Sequence, residues 1–272
     1  VTGSEARDPE GASLLPRIAT ALLLIPLALG SALAGGRVYA SVIAAMTIFL
    51  IFEWTRMVDG AELRRGFYTL SATAALSCFF AAGGQPMLAL WIALGGGAVA
   101  TVLEWPKPNP QSWPMVGAVY IIVPAVAALW VNRDAVAGEM LTVLLFLCVW
   151  ATDSGALLVG RTVGGPKLVP RISPRKTWAG AIGGVIASVL TAWAFGWLFR
   201  FDAADPLLAL GLILGIATVL GDIAESALKR RYGMKDSGGA FPGHGGVLDR
   251  LDGFLFAVLA LAGTLLLLQS VS

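Results

Sequence analysis

Asp222, Glu225 and Ser226 stand at i, i+3 and i+4 in the chain, a spacing that puts all three on one face of a helix. Asp249 and Asp252 repeat the i, i+3 interval further on, and Asp153 sits in a third apolar stretch, CVWATDSGALLVG. Carboxylates inside apolar sequence are costly, and they face a partner, a cavity or an ion. The chain has one histidine and two cysteines, so oxygen is the donor type it can offer in number. Oxygen donors favour a hard cation such as Mg²⁺ over zinc. The competing reading is that these acids close buried ion pairs with Lys229, Arg230, Arg231 and Arg250. Spacing alone leaves both readings open.

Two connecting segments surround these acids. The first, GRTVGGPKLVPRISPRKTWAG (160–180), carries five cations and no acid. Gly164, Gly165, Pro166, Pro170 and Pro174 give it a defined shape. Ser173 and Pro174, followed by Lys176 and Thr177, read as a helix start, and a helix amino terminus is a natural phosphate seat. The alternative is a topology signal in contact with anionic headgroups. The second segment, KDSGGAFPGHGGVLDRLDG (235–253), combines glycines, both charge signs and the lone His244. That histidine suits a structural hydrogen bond as well as it suits participation. Hard-cation carboxylates, a cationic loop and flexible glycines are the equipment for phosphoryl or nucleotidyl transfer, which rests on positioning and charge neutralisation. Neither a Walker loop nor a dinucleotide-binding glycine fingerprint is present.

The elements that must position these groups are membrane spans. The chain is 57% hydrophobic and 13% charged, with a mean hydropathy of +0.79, whereas soluble domains carry about 25% charged residues. Apolar blocks at 18–34, 38–54, 67–83, 86–103, 114–131, 139–159, 179–199, 206–228 and 253–269 have the length of membrane-crossing helices. The expected fold is therefore an all-α, polytopic integral membrane protein of about nine transmembrane helices. It divides into amino-terminal helices (1–138) and a catalytic transmembrane region with two site loops (139–272). The opening VTGSEARDPEGASLLPR does not read as a cleaved signal peptide. Only Arg37, Arg133 and Arg200 of the 19 basic residues fall in odd-numbered loops. Such asymmetry places the amino terminus and both site loops in the cytoplasm. Cys78 and Cys148 read as small buried hydrophobes. The glycines of LGGGAVA and AIGGVIA read as helix-packing residues, and Pro26 and Pro124 are prolines that a membrane helix tolerates.

SALKRRYGMKDSGGAFPGHGGVLDRLD (226–252) resembles the signature of the phosphatidate cytidylyltransferases, through Ser226, Lys229, Arg230, Lys235, Asp236, Pro242, His244, Gly245, Gly246, Asp249, Arg250 and Asp252. ISPRKTWAGAIGG (172–184) resembles a second family segment, with Arg175 in place of a lysine and Ala179 in place of a glutamate. The resemblance covers about 150–252. It implies an integral membrane nucleotidyltransferase that converts CTP and phosphatidate to CDP-diacylglycerol and pyrophosphate with Mg²⁺. It implies metal binding by Asp222 and Asp249, with Asp153 and Asp252 as further candidates. Lys176, Arg175, Lys229 and Arg230 would neutralise phosphates. Ser173, Thr177, Lys235, Asp236, His244, Gly245, Gly246 and Arg250 would line the substrate site. It also implies a multi-pass protein of the cell (inner) membrane that pairs as a homodimer and has no nucleic-acid partner.

Other readings are a CTP-dependent enzyme acting on a polyprenol or ether lipid, and an ion-coupled transporter using Asp153 and Asp222. Transporter sites lie near the midplane between repeated halves. No repeat is visible here, and the charges cluster at span ends.

Overall fold

The computed structural model describes residues 14–60, 63–105, 114–201, 204–234 and 246–271. Helices occupy all nine expected blocks: α1 (Leu14–Ala34), α2 (Gly36–Asp59), α3 (Arg65–Ala82), α4 (Pro86–Glu104), α5 (Pro114–Asp134), α6 (Gly138–Thr162), α7 (Trp178–Leu198), α8 (Ala204–Arg231) and α9 (Leu248–Val271). Seven of them are long and apolar enough to cross a membrane, and α3 is less apolar than these. The described side chains of α1, Leu22–Ala34, form an apolar stretch. Helix α3 carries Arg65 together with Thr69, Ser71, Thr73 and Ser77. Two of those hydroxyls are satisfied within the helix, Thr69 on the Arg65 carbonyl at 2.8 Å and Thr73 on the Thr69 carbonyl at 2.7 Å.

Large side chains such as Phe79, Trp91, Leu158, Ile186 and Leu267 point outward. Water would penalise that surface, and lipid tails would not. Two buried clusters fill the interior, and each draws residues from both sides of position 138. Cys78 and Cys148 are buried free thiols inside it. Gly183 and Gly184 allow α7 to press on α6, since a Cβ on Gly184 would stand 2.6 Å from the Thr152 carbonyl oxygen. In LGGGAVA, Gly96 abuts Thr73 and Gly97 abuts Ala118, while Gly95 meets nothing within 4 Å among the described residues.

Pro124 leaves a mark on α5. A proline lacks the N–H for the carbonyl four residues back, and its ring crowds that carbonyl. The turn just before it widens into a π-helical stretch, Ala118–Ile122. Such turns recur at functional sites, and this one holds Tyr120.

The cationic segment departs from the helix start expected at Ser173. It forms an antiparallel hairpin, β1 (Lys167–Val169) and β2 (Ser173–Thr177), with Lys167 opposite Thr177 and Val169 opposite Ser173. The residue before a proline is biased toward extended backbone, which holds Ser173 in a strand. Helix α7 begins only at Trp178. Its cap is Thr177, whose Oγ1 accepts the Gly180 N–H at 3.1 Å.

Candidate active site

Helices α8 and α9 meet at two glycines. A Cβ on Gly221 would lie 2.5 Å from the Asp252 carbonyl oxygen, and one on Gly253 would lie 2.7 Å from Thr218 Cγ2. The neighbours of these glycines are Asp222 and Asp252, so the backbone contact itself brings one aspartate from each helix together. Glu225, one turn further along α8, completes the group. Asp222, Glu225 and Asp252 offer carboxylate oxygens that all lie within 4.8 Å of one another.

Lys229, a further turn along α8, ties the two helices at the same level. Its Nζ lies 2.5 Å from Glu225 Oε2 and 2.7 Å from Asp249 Oδ1. The other Asp249 oxygen accepts the Gly246 N–H at 2.9 Å. The hairpin delivers a second lysine from outside: Lys176 Nζ lies 2.6 Å from Asp222 Oδ1 and 3.3 Å from Ser226 Oγ. The Lys229 contacts are nearly closed to solvent, while the Asp222 side chain is 42% exposed. The site therefore has a buried inner pair of acids and an open outer edge under the hairpin.

The residues present fit a divalent cation. Lys176 and Lys229 contact Asp222, Glu225 and Asp249, and Asp252 joins the same group of acids, so the fully ionised cluster keeps two negative charges in excess. Glu225 Oε1 is buried and has no hydrogen-bond partner among the described residues. An orphaned carboxylate oxygen is expensive unless an ion or a water completes it. The donors are all oxygen, which suits a hard ion. The grouping differs from the set that the resemblance implied. Asp222 belongs to the three-carboxylate group, Asp249 is held by Lys229 and Gly246, and Glu225 joins in. Asp153 lies exposed on α6, within electrostatic reach of Asp222, Lys176 and Arg250. Ion pairing through Lys229 leaves the cation reading open, since Lys229 pairs with Glu225 through one oxygen and leaves the other.

Arg230 braces the hairpin against the end of α8, its Nε donating to the Ile172 carbonyl at 3.2 Å and its Nη1 to the Met234 carbonyl at 3.4 Å. Arg175 and Arg250 are exposed on β2 and on the first turn of α9, and Ser173 is half-buried at the start of β2. Thr177 acts on the α7 backbone, as its cap. Lys235, Asp236, His244 and Gly245 lie outside the described residues.

Two polar residues of the amino-terminal helices reach this region without any motif to announce them. Glu53 on α2 accepts the Val247 and Leu248 N–H groups at 2.9 and 2.7 Å. Tyr120 packs against Trp54 and Phe256, with ring centroids 5.8 and 6.2 Å apart. Its hydroxyl is buried without a hydrogen-bond partner among the described residues, within electrostatic reach of all four carboxylates. The only signal in the sequence was a charge and a phenol inside apolar blocks.

Bundle and cluster together define a polytopic membrane protein with an acid–lysine site at one end of its helices. The model of the cytidylyltransferase family matches residues 15–268, and the chain belongs to that family. It is 35% identical over 252 residues to a phosphatidate cytidylyltransferase of Brucella suis biovar 1 (strain 1330), covering 92% of both chains. A phosphatidate cytidylyltransferase of Pseudomonas aeruginosa is 35% identical over 264 residues, 93% of this chain and 97% of its own. One of Bacillus subtilis (strain 168) is 46% identical over 125 residues, 43% of this chain and 45% of its own.

Proposed function

We propose that this protein is a phosphatidate cytidylyltransferase. A phosphate oxygen of phosphatidate attacks the α-phosphorus of CTP, the bond from that phosphorus to the β-phosphate bridging oxygen breaks, and CDP-diacylglycerol and pyrophosphate form. The cluster of Asp222, Glu225, Asp249 and Asp252 clasped by Lys176 and Lys229, in a chain of this family, is the observation that carries the reading.

Phosphatidate is ionised at neutral pH, so the nucleophile needs no strong base. What the reaction needs is alignment of two polyanions and neutralisation of their charge. Asp222, Glu225 and Asp252 would hold Mg²⁺, which supplies Lewis-acid charge stabilisation at the phosphates when bound. Lys176 sits at the open edge, where a phosphate can exchange for Asp222 as its partner. Arg175 and Arg250, both exposed nearby, extend the cationic rim. Lys229 keeps Glu225 and Asp249 in place from within. The distribution of basic residues supports a cytoplasmic amino terminus and cytoplasmic site loops in a cell (inner) membrane. Pairing into a homodimer rests on the family resemblance and is tested by light scattering of the detergent-solubilised protein.

The direct test supplies purified protein with Mg²⁺, labelled CTP and phosphatidate. Label should move into the lipid phase with matched pyrophosphate release, and both should vanish with EDTA. Labelling only of another lipid phosphate or alcohol would move the substrate assignment to that lipid. No labelled lipid of any kind would overturn the enzyme reading and leave ion transport to be measured.

A further inference from the structure

Glu53 is 1% exposed, a carboxylate deep in the bundle that touches neither Lys176 nor Lys229. It accepts the N–H groups of Val247 and Leu248, 194 and 195 residues away in sequence, at 2.9 and 2.7 Å. These are the last residues before α9 and the first within it. The Val247 carbonyl already accepts the Arg250 and Leu251 N–H groups at 3.1 Å each, so the helix starts here.

A helix start is ordinarily capped by its own Ser, Thr, Asp or Asn. Helix α7 follows that habit with Thr177. Helix α9 has Gly246 and Val247 in that position, which offer no cap. The donors go instead to two carboxylates from different helices, Gly246 N–H to Asp249 and the next two to Glu53. A negative charge at a helix amino terminus is favourable, the more so where water is excluded. Here it also fixes where the first turn of α9 lies relative to α2, and that turn carries Asp249 and leads to Asp252.

The next residue acts on the other flank. Trp54 is 2% exposed and meets the Tyr232 ring edge-on, with centroids 6.4 Å apart. Tyr232 closes the end of α8, one turn beyond Lys229. Adjacent residues of α2 therefore grip the end of α8 and the start of α9, the two elements whose acids form the cluster.

We infer that Glu53 is a positioning residue for the active site: it holds the first turn of α9 in the register that brings Asp249 onto Lys229 and Asp252 onto Asp222 and Glu225. This rests on the cytidylyltransferase reading for its catalytic consequence, but not for its structural one.

The test compares wild type, Glu53→Gln and Glu53→Asp in the full-length protein in detergent. Glutamine keeps the volume but turns one acceptor into a donor that faces an N–H. In Glu53→Gln, kcat should fall roughly 10- to 100-fold, the scale of a lost charge-assisted hydrogen bond, with KM for CTP and phosphatidate within about twofold. Glu53→Asp keeps the charge on a shorter arm and should recover part of kcat. Binding of Mn²⁺ alone, read by electron paramagnetic resonance without substrates, should weaken in the same order. Amide hydrogen exchange at 247–252 should quicken in Glu53→Gln. A folded Glu53→Gln protein with wild-type kcat and wild-type exchange at 247–252 overturns the inference. So does a lowered Tm with kcat and Mn²⁺ affinity unchanged, since that is the mark of a cap that only stabilises. If Glu53→Gln does not fold, Glu53→Asp decides by the same readouts. If wild type itself shows no cytidylyl transfer, the proposed function fails, and the exchange rates still decide the role of Glu53.

Discussion

A Cβ placed on Gly221 would stand 2.5 Å from the backbone carbonyl oxygen of Asp252. The obstacle is backbone, so no side-chain rotation relieves it. Gly221→Ala should push α9 away from α8 and separate Asp252 from Asp222 and Glu225. Overpacking of this kind costs about 1–3 kcal/mol, so the variant should melt earlier and lose most of its turnover. Gly263 on α9 faces open space. Gly263→Ala should retain full activity, and thermal melting beside turnover checks both variants. Loss of activity in both would show that the effect of Gly221→Ala does not come from its contact with the Asp252 backbone.

Direct cation binding should separate Asp252 from Asp249. Asp252 contributes to the three-carboxylate group, whereas both Asp249 oxygens are engaged, one by Lys229 and one by Gly246. Asp252→Asn should weaken Mn²⁺ binding at least tenfold, on the scale of losing one charged ligand. Asp249→Asn should lose turnover while remaining folded and membrane-inserted, with a much smaller change in Mn²⁺ affinity. Equal weakening in the two variants would assign Asp249 to the cation.

The two lysines should differ in what they do for stability. Lys229 serves Glu225 and Asp249 where the side chains are 1% and 17% exposed. Removing one partner of a buried pair costs about 3–5 kcal/mol, so Lys229→Met should be severely destabilised. Adding Glu225→Gln should restore part of the melting temperature without restoring turnover. Lys176 meets an Asp222 that is 42% exposed. An exposed pair contributes about 0–1 kcal/mol, so Lys176→Met should melt close to wild type and fail in catalysis. A Lys176→Met protein with normal kcat and KM would remove this lysine from the phosphate site.

Thr177 should matter through α7. Losing an N-cap costs about 1 kcal/mol, so Thr177→Val should lower the melting temperature. It should also raise KM for CTP, because the strand ending at Thr177 carries Lys176. Thr177→Ser keeps the capping oxygen and should restore both. Rescue of stability without rescue of KM would separate the cap from the substrate site.

Hydrophobic length is a local property, and the sequence reading placed all nine helices because each span announces itself within about 20 residues. The i, i+3 spacing likewise put Asp222 with Glu225, and Asp249 with Asp252, on common helix faces before any packing was known. The hairpin was harder to see. Ser173, Pro174 and Lys176 carry the marks of a helix start, and only pairing with Lys167–Val169 makes the segment a strand.

What the sequence determined by itself was the class of molecule, the helices on which the acids and lysines gather, and the residue types available there. Tertiary structure decided which acids converge. Asp249 turned to Lys229, while Asp252 joined Asp222 and Glu225, because α8 and α9 cross where Gly221 and Gly253 let backbone touch backbone. It also drew in Glu53, a charge in an apolar block with no motif around it. Its partners are main-chain N–H groups 194 and 195 residues away, and an N–H carries no side-chain identity for a sequence to display.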